Sequence, residues 1–253
     1  MNVSPALTPS AARMPFSDFE IVLVDLVASA GLIEAEEART PRLGAADVVR
    51  AARLGDDPQA QGLWRAARIA TRIVLERAAG AGIRGMDFAI AAGGRPSLGA
   101  GFPSFNVSHT GDVALIAVSS QSSLGADIEQ RKSLSMTADR RERIVRAAAA
   151  MGGASPFDSD DDTDVLRAWV RLEAVAKARG TGIGVLLTEE GVIGGVGGRS
   201  AQSQVPLAVA ELDVGADYVA AVASTVMPDH PIVRHFPTRV DEFAAFMANP
   251  HQR

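Results

Sequence analysis

Three short runs in this chain carry side chains that could do chemistry together. In Gly125-Ala126-Asp127-Ile128-Glu129 two acids stand two residues apart. On a β-strand such residues share a face, so both carboxylates project together while Ala126 and Ile128 point into a core. Adjacent carboxylates repel unless a cation lies between them. All-oxygen ligands suit a hard ion, and a few carboxylates completed by substrate phosphates suit magnesium. Taken alone, so short a pattern more often marks solvated acids on an edge strand. The second run, Trp169 to Lys177, has helical character, with Trp169, Glu173 and Lys177 at i, i+4 and i+8 along one stripe. The tryptophan implies a partly buried stripe that would hold Glu173 in place. The bland alternative is a surface Glu–Lys pair contributing about 0.2–0.5 kcal/mol. Gly180 and Gly182 follow, in a turn whose backbone N–H groups could face an anion. The third run is Asn106-Val107-Ser108-His109-Thr110-Gly111, read as lying just before a strand. Its hydroxyl and imidazole suit a phosphate or ribose. A Ser/His nucleophilic pair is the competing sharp reading, but no G-x-S-x-G elbow surrounds any serine.

The elements that must position these runs follow from periodicity. Phe19 to Val27 reads as a first strand, Glu34 to Leu54 as helix interrupted near Pro41, and Pro58 to Ala79 as a long helix with Leu63, Ala67, Ala70, Val74 and Ala78 on one face. Met86 to Ala91 reads as a short strand, and Gly93 to Pro96 as a turn. The glycine-bearing loop from Pro96 to Pro103 marks a boundary between two halves. Strands at Val113–Val118 and Leu124–Glu129 precede an arginine-rich helix at Thr137–Ala150 and a further helix ending near Arg179. Three short strands are expected at Val185–Leu187, Pro206–Leu212 and Tyr218–Ser224, and a tail helix at Val240–Met247. This order is not a repeated βαβ pattern and argues for an α+β fold with antiparallel pairing.

Composition bounds what such a chain can be. Its 253 residues suffice for one large domain or two small ones, and 47% hydrophobic with 22% charged residues is ordinary for a soluble globular protein. The absence of cysteine excludes disulfides and thiolate metal sites and suits a reducing, cytoplasmic setting. A net charge of −5 disfavours nucleic acid or an anionic membrane as partner, so an anionic substrate needs a local cationic cluster. Ile21 to Ile33 is too short and too interrupted, by Asp25, to span a bilayer. Residues 1–16, with prolines at 5, 9 and 15, read as a mobile arm without the features of a secretory leader.

In order along the chain, Gly94-Arg95-Pro96-Ser97-Leu98, Phe105 to Thr110, Gly125 to Glu129 and Trp169 to Gly182 form a set that resembles the surfactin-type 4'-phosphopantetheinyl transferases. The resemblance is strong over Gly94–Gly182 and extends weakly to the helix at 58–79 and the strand holding Tyr218. It implies two similar halves related by a pseudo-twofold axis, each a small antiparallel sheet packed with helices. The halves would span 17–103 and 104–226, with a tail at 227–253. It implies transfer of the 4'-phosphopantetheine arm of coenzyme A to a serine of an acyl or peptidyl carrier protein, with release of 3',5'-adenosine bisphosphate. Asp127, Glu129 and Glu173 would hold magnesium with the coenzyme A pyrophosphate. Lys177 would contact phosphate, Ser108 and His109 the 3'-phosphate, and Arg95 with Pro96 the adenine and the same phosphate. Glu173 is the implied general base, with Asp127 and Lys177 completing the catalytic set. Leu63 stands where the family offers a phosphate-binding arginine, which leaves Arg65 as the nearest substitute.

Carrier proteins of this kind are acidic around the modified serine, so Arg131, Lys132, Arg140, Arg141, Arg143 and Arg146 are a candidate docking face; a solvated arginine face is the alternative. The implied enzyme acts as a monomer. The rival readings are a coenzyme A- or carrier-binding protein without transfer activity, and a magnesium-dependent phosphohydrolase. The acidic run Asp158 to Asp164 has calcium-loop spacing, but Thr163 replaces the required glycine and no glutamate closes the loop.

Overall fold

A computed structural model describes residues 19–55, 57–90, 94–120, 123–152, 156–194 and 206–248; the expected N-terminal arm lies outside them. The first elements are β1 (Phe19–Asp25), α1 (Ala30–Arg39), α2 (Ala45–Ala51), α3 (Pro58–Ala79), β2 (Ala89–Ile90) and β3 (Pro96–Ser97). There follow β4 (Ser104–Thr110), β5 (Val113–Ser119), β6 (Leu124–Gln130), α4 (Ala138–Ala149), α5 (Asp162–Arg179) and α6 (Ile183–Glu189). The chain continues through β7 (Ala208–Leu212), β8 (Tyr218–Ser224), β9 (Val233–His235) and α7 (Val240–Ala248).

The fold is α+β, arranged in layers. One sheet runs β4-β5-β1-β9 and another β6-β8-β7, with β2 and β3 forming a separate two-stranded ribbon. The larger sheets pack face to face. Ile21, Leu23, Leu115 and Ala117 from one meet Leu124, Ala126, Ile128 and Val222 from the other. The opposite face of the first sheet, with Val22, Val24, Ile116 and Val118, packs on Ile33 of α1 and Ile69 and Ile73 of α3. The opposite face of the second, with Val219, Ala221 and Ala223, packs on α4, α5 and α6 through Ile144, Leu172, Val175 and Leu186. A boundary at 103/104 falls between β3 and β4, while the first sheet draws β1 from one side of it and β4 and β5 from the other.

The two long helices have clear sequence causes. Asp57 caps α3, its Oδ1 accepting from the N–H groups of Gln59 and Ala60 at 3.0 and 3.2 Å, and Pro58 takes the first turn, where no N–H is needed. Asp161 caps α5 by accepting from Asp164 N, and Gly180 ends it at φ 68°, a left-handed conformation that glycine adopts without strain. The acidic loop is thereby used internally, because Asp164 also accepts from the N–H of Asp158 at 2.9 Å. It builds a helix start.

Several expectations need correction. Residues 183–189 form helix α6, where a strand at 185–187 was expected. A three-residue apolar run has no readable period, and the helix buries Leu186 and Leu187 beside α5. Asn106–Thr110 is itself strand, within β4; its polar residues at 106, 108 and 110 hide the usual apolar alternation. The strand at 86–91 shrinks to Ala89–Ile90, with Ala91 and Gly93 outside the described residues. The helical stretch at 34–54 is interrupted near Pro41 as expected, giving two helices, but α1 begins earlier, at Ala30, and α2 ends at Ala51. Pairing is not antiparallel throughout, since β9 runs parallel to β1, Val22 opposite Arg234. Three residues of strand are too few to announce themselves. Behind β9, Phe236, Phe243 and Phe246 cluster with ring centroids 5.2–6.5 Å apart, and Arg77 lies 4.6 Å over Phe246. The tail is therefore part of the first hydrophobic core.

Candidate functional site

The site lies where β4, β6 and α5 meet. Gly125 makes the meeting possible. A Cβ there would collide with Ala174 O and Ala178 N of α5 and lie 2.9 Å from Lys177 Cβ. The helix therefore rests directly on the strand. Asp127, two residues on, is turned to the same helix and is only 5% exposed. Its Oδ1 accepts from Lys177 Nζ at 2.7 Å and from Ser108 Oγ at 2.7 Å, and Lys177 Nζ donates to Ser108 Oγ at 3.1 Å. Lys177 also donates to the carbonyl of Ala126 at 3.2 Å. One ammonium thus ties a carboxylate, a hydroxyl and a strand carbonyl into a single knot.

Negative charge is in excess around that knot. Burial pushes the Asp127 carboxyl above its ordinary range; Lys177 and then Ser108 pull it back, and Glu129 adds to the rise. Glu173, half-buried one turn before Lys177, is also raised, by burial first and then by the charge of Asp127, with Lys177 opposing and Glu129 adding. Glu129 is not among the acceptors of the knot's hydrogen bonds. Its Oε2 accepts from Lys132 Nζ at 3.0 Å at the surface. Among the described residues, no three histidine, aspartate or glutamate side chains gather as a metal-ligand group. What fits a hard cation is the donor chemistry: acidic oxygens only, the carboxyls of Asp127 and Glu173 raised by burial first and by their like-charged neighbours second, and a buried Asp127 Oδ2 with no hydrogen-bond partner.

The raised Glu173 carboxyl has a measurable consequence. A carboxyl raised by folding contributes stability that is complete below its ordinary value of 4.5 and lost as pH rises through the folded value. Glu173→Gln is therefore expected to raise Tm at pH 7–8 in metal-free buffer, with no gain below about pH 4.5. A variant that melts at or below the wild-type temperature at pH 7.5 would count against a Glu173 carboxyl raised by burial and neighbouring charge.

The other sequence candidates separate. Ser108 and His109 leave β4 on opposite faces: Ser108 is buried in the knot, whereas His109 is exposed beside a cavity of about 200 Å³ lined by Leu26, Ala60, Leu63, Trp64 and Gly111. Among the described residues, neither lysine nor arginine lines that cavity. Arg65 is held by Glu34, donating from Nε at 2.8 Å and Nη2 at 3.0 Å, which raises its own pKa. Arg95 is half-buried with its pKa lowered by burial, and Pro96 pairs with Ile90 in the ribbon. The residue the sequence reading left without a role is Gly125. A glycine inside a strand pattern was the available signal, since it commonly marks close approach of another backbone.

No protein-family model matches the chain. The 4'-phosphopantetheinyl transferase AcpT of Salmonella typhimurium is 30% identical over 125 residues, which cover 47% of this chain and 62% of the relative. The protein of the same name from Salmonella typhi matches with the same identity and coverage. The chain is similar to a phosphopantetheinyl transferase. It spans about three fifths of the length of the curated relatives it matches, and the likeness does not single out the surfactin-type branch.

Proposed function

We propose that this protein transfers the 4'-phosphopantetheine arm of coenzyme A to a serine of a carrier protein, releasing 3',5'-adenosine bisphosphate. The observation that carries the reading is the Asp127–Lys177–Ser108 knot with Glu173 beside it, in a chain similar to AcpT. Lys177 presents a fixed positive charge at the meeting of the two sheets, where a pyrophosphate could be drawn in and its growing charge stabilised. Glu173 is the candidate general base for the carrier hydroxyl. Partial burial and like-charged neighbours make it a stronger base than a solvated glutamate. Magnesium would be held by Asp127, Glu129 and Glu173 together with the coenzyme A phosphates. When bound it supplies Lewis-acid charge at the phosphate oxygens. Arg95 and Pro96, Ser108, His109 and Arg65 remain proposed contacts for the rest of coenzyme A. Of the two arginines the geometry favours half-buried Arg95 over Arg65, whose guanidinium is engaged by Glu34.

The deciding experiment incubates the protein with coenzyme A, magnesium and several apo-carrier proteins and reads the added arm by mass spectrometry. Modified carrier supports the reading. Coenzyme A binding without modification supports a binding protein instead, and phosphate release without a carrier supports a hydrolase.

The docking face on α4 is partly neutralised by its own helix. Arg143 pairs with Asp139 at 2.9 Å and Arg146 with Glu142 at 2.8 Å, while Arg141 turns back to the carbonyl of Leu134 at 2.9 Å. Such exposed i, i+4 pairs are worth only about 0.3–0.5 kcal/mol and yield readily to an acidic partner. Reversing Arg140 and Arg143 to glutamate is expected to raise the KM for the carrier about tenfold or more while leaving coenzyme A binding unchanged. Equal KM values for variant and wild type would remove this face from the interface.

A further inference from the structure

β4 and β6 are the facing edges of two different sheets. Among the described residues β4 forms a backbone ladder with β5 and β6 with β8, not with each other, yet the two strands lie against each other. Edges that meet in a protein interior leave N–H and C=O groups that need partners. At this seam the partners are side chains. Asn106 Oδ1 accepts from Ala126 N at 3.0 Å, Ser108 Oγ donates to Asp127 Oδ1 at 2.7 Å, and Thr110 Oγ1 accepts from Gln130 N at 3.4 Å in a more exposed position. The N–H and C=O of one strand residue point to the same side. Both groups of Ala126 therefore lie on the free edge of β6, and each is taken: the N–H by Asn106, the C=O by Lys177 Nζ at 3.2 Å.

We propose that Asn106 is a positioning residue for the transfer centre, holding the Ala126 backbone so that Lys177 and Asp127 meet at a fixed place between the sheets. This rests on the transferase reading given above. The amide orientation is not in doubt, because the group it faces is a donor and only Oδ1 can accept. Asn106 is 8% exposed and Ala126 is fully buried, so water cannot take over the bond without opening the seam. Without the acceptor, the Ala126 N–H must turn to find another partner. That N–H sits in the Gly125–Ala126 peptide and the Ala126 carbonyl in the next one, joined through a single Cα, so a shift of the Ala126 backbone also displaces one of the three anchors of the Lys177 ammonium. Asp127 follows directly in the chain. Asn106 thus acts on the centre through the backbone of one residue, Ala126.

The test uses the full chain and two variants of similar size, Asn106→Leu, which removes the acceptor, and Asn106→Asp, which keeps it. In single-turnover and steady-state transfer assays N106L is expected to lose about 10- to 100-fold in kcat with KM for coenzyme A changed less than about threefold, because reacting groups are displaced and not removed. N106D is expected to recover most of that loss. Amide hydrogen exchange gives a reading that does not depend on a variant folding. In the wild type the Ala126 N–H should be protected like the β6–β8 ladder amides, and in N106L it should exchange at least about tenfold faster. A wild-type Ala126 amide exchanging like an unpaired edge group overturns the proposal. So does N106L with wild-type kcat, or with a raised KM and unchanged kcat. A wild type that transfers no arm overturns the transferase reading, and this role of Asn106 with it, whereas active wild type with equally active N106L overturns the role of Asn106 alone.

Discussion

Replacing Lys177 with methionine is expected to cut transfer by about 10²- to 10³-fold, the scale of losing one fixed charge-stabilising donor. It is also expected to destabilise the fold by about 3 kcal/mol at neutral pH, the low end for breaking a buried ion pair because the lysine is part-exposed. The cause lies in what remains. Asp127 would keep the Ser108 hydroxyl as its one hydrogen-bond donor, with Oδ2 still unpartnered and Glu129 and Glu173 close enough to repel it. Lys177 is the first of the influences that lower the Asp127 pKa, so its loss raises an already raised carboxyl further. A carboxyl raised in the folded state contributes stability that is complete below its ordinary value of 3.8 and lost as pH rises through the folded value. The deficit of K177M should therefore be small near pH 3.8 and full at pH 7. Lys177→Arg separates the two effects: the charge is kept and most stability should return. The planar guanidinium cannot reach Ser108, Asp127 and Ala126 O at once, so transfer should stay low. Thermal unfolding from pH 4 to 8, beside mass-spectrometric transfer assays, measures both. A methionine variant as stable as wild type at pH 7.5 would mean that Asp127 finds another partner.

The parts of this site that were legible in sequence are those fixed by short-range rules. The i, i+2 spacing placed Asp127 and Glu129 on one side of a strand, and β6 runs from Leu124 to Gln130 as that alternation requires. α3 matched its expected bounds because it is long, periodic, capped by Asp57 and stopped by Gly80. The stripe Trp169–Glu173–Lys177 is half-buried along its length, as a tryptophan among charges implied. What sequence did not reveal is set by contacts across the fold. Arg65 is captured by Glu34, which belongs to α1, and no local pattern announces that pairing. Ser108 and His109 are chain neighbours, and once β4 is strand the same two-residue period must send them to opposite faces. Placing Asn106–Thr110 just before a strand, and not within one, concealed that. β9 and α6 escaped for a simpler reason: segments of three and seven residues carry too few positions for a period to show.

Gly125→Ala adds one methyl group and is expected to be strongly disruptive. In most strands alanine is the better residue, because glycine costs conformational entropy on folding and packs no side chain. Here the sign reverses. The new Cβ would fall on the backbone oxygen of Ala174 and the backbone nitrogen of Ala178, neither of which can swing aside as a flexible side chain would. Ala174, Ala176 and Ala178 are themselves fully packed, and α5 is wedged between the second sheet and α4, so the helix can yield only by moving as a body. Overpacking of a close-packed interior costs about 1–3 kcal/mol and more where backbone must shift, so a loss of about 3 kcal/mol or more is expected. The damage to function should exceed the damage to the fold. Glu173 and Lys177 ride on the same face of α5, and a displacement of about 1 Å can cost 10²-fold in rate when reacting groups must be held in register. G125A should therefore show lower Tm and transfer reduced about 10²-fold or more even at temperatures where it is fully folded. Pairing it with Ala174→Gly does not relieve the clash, since the obstruction is main chain; a double variant restored to wild-type activity would show that α5 does not rest on β6 by its backbone. Wild-type stability in G125A alone would show the same, and the close contact of strand and helix would lose its place as the feature that brings Asp127, Glu173 and Lys177 together.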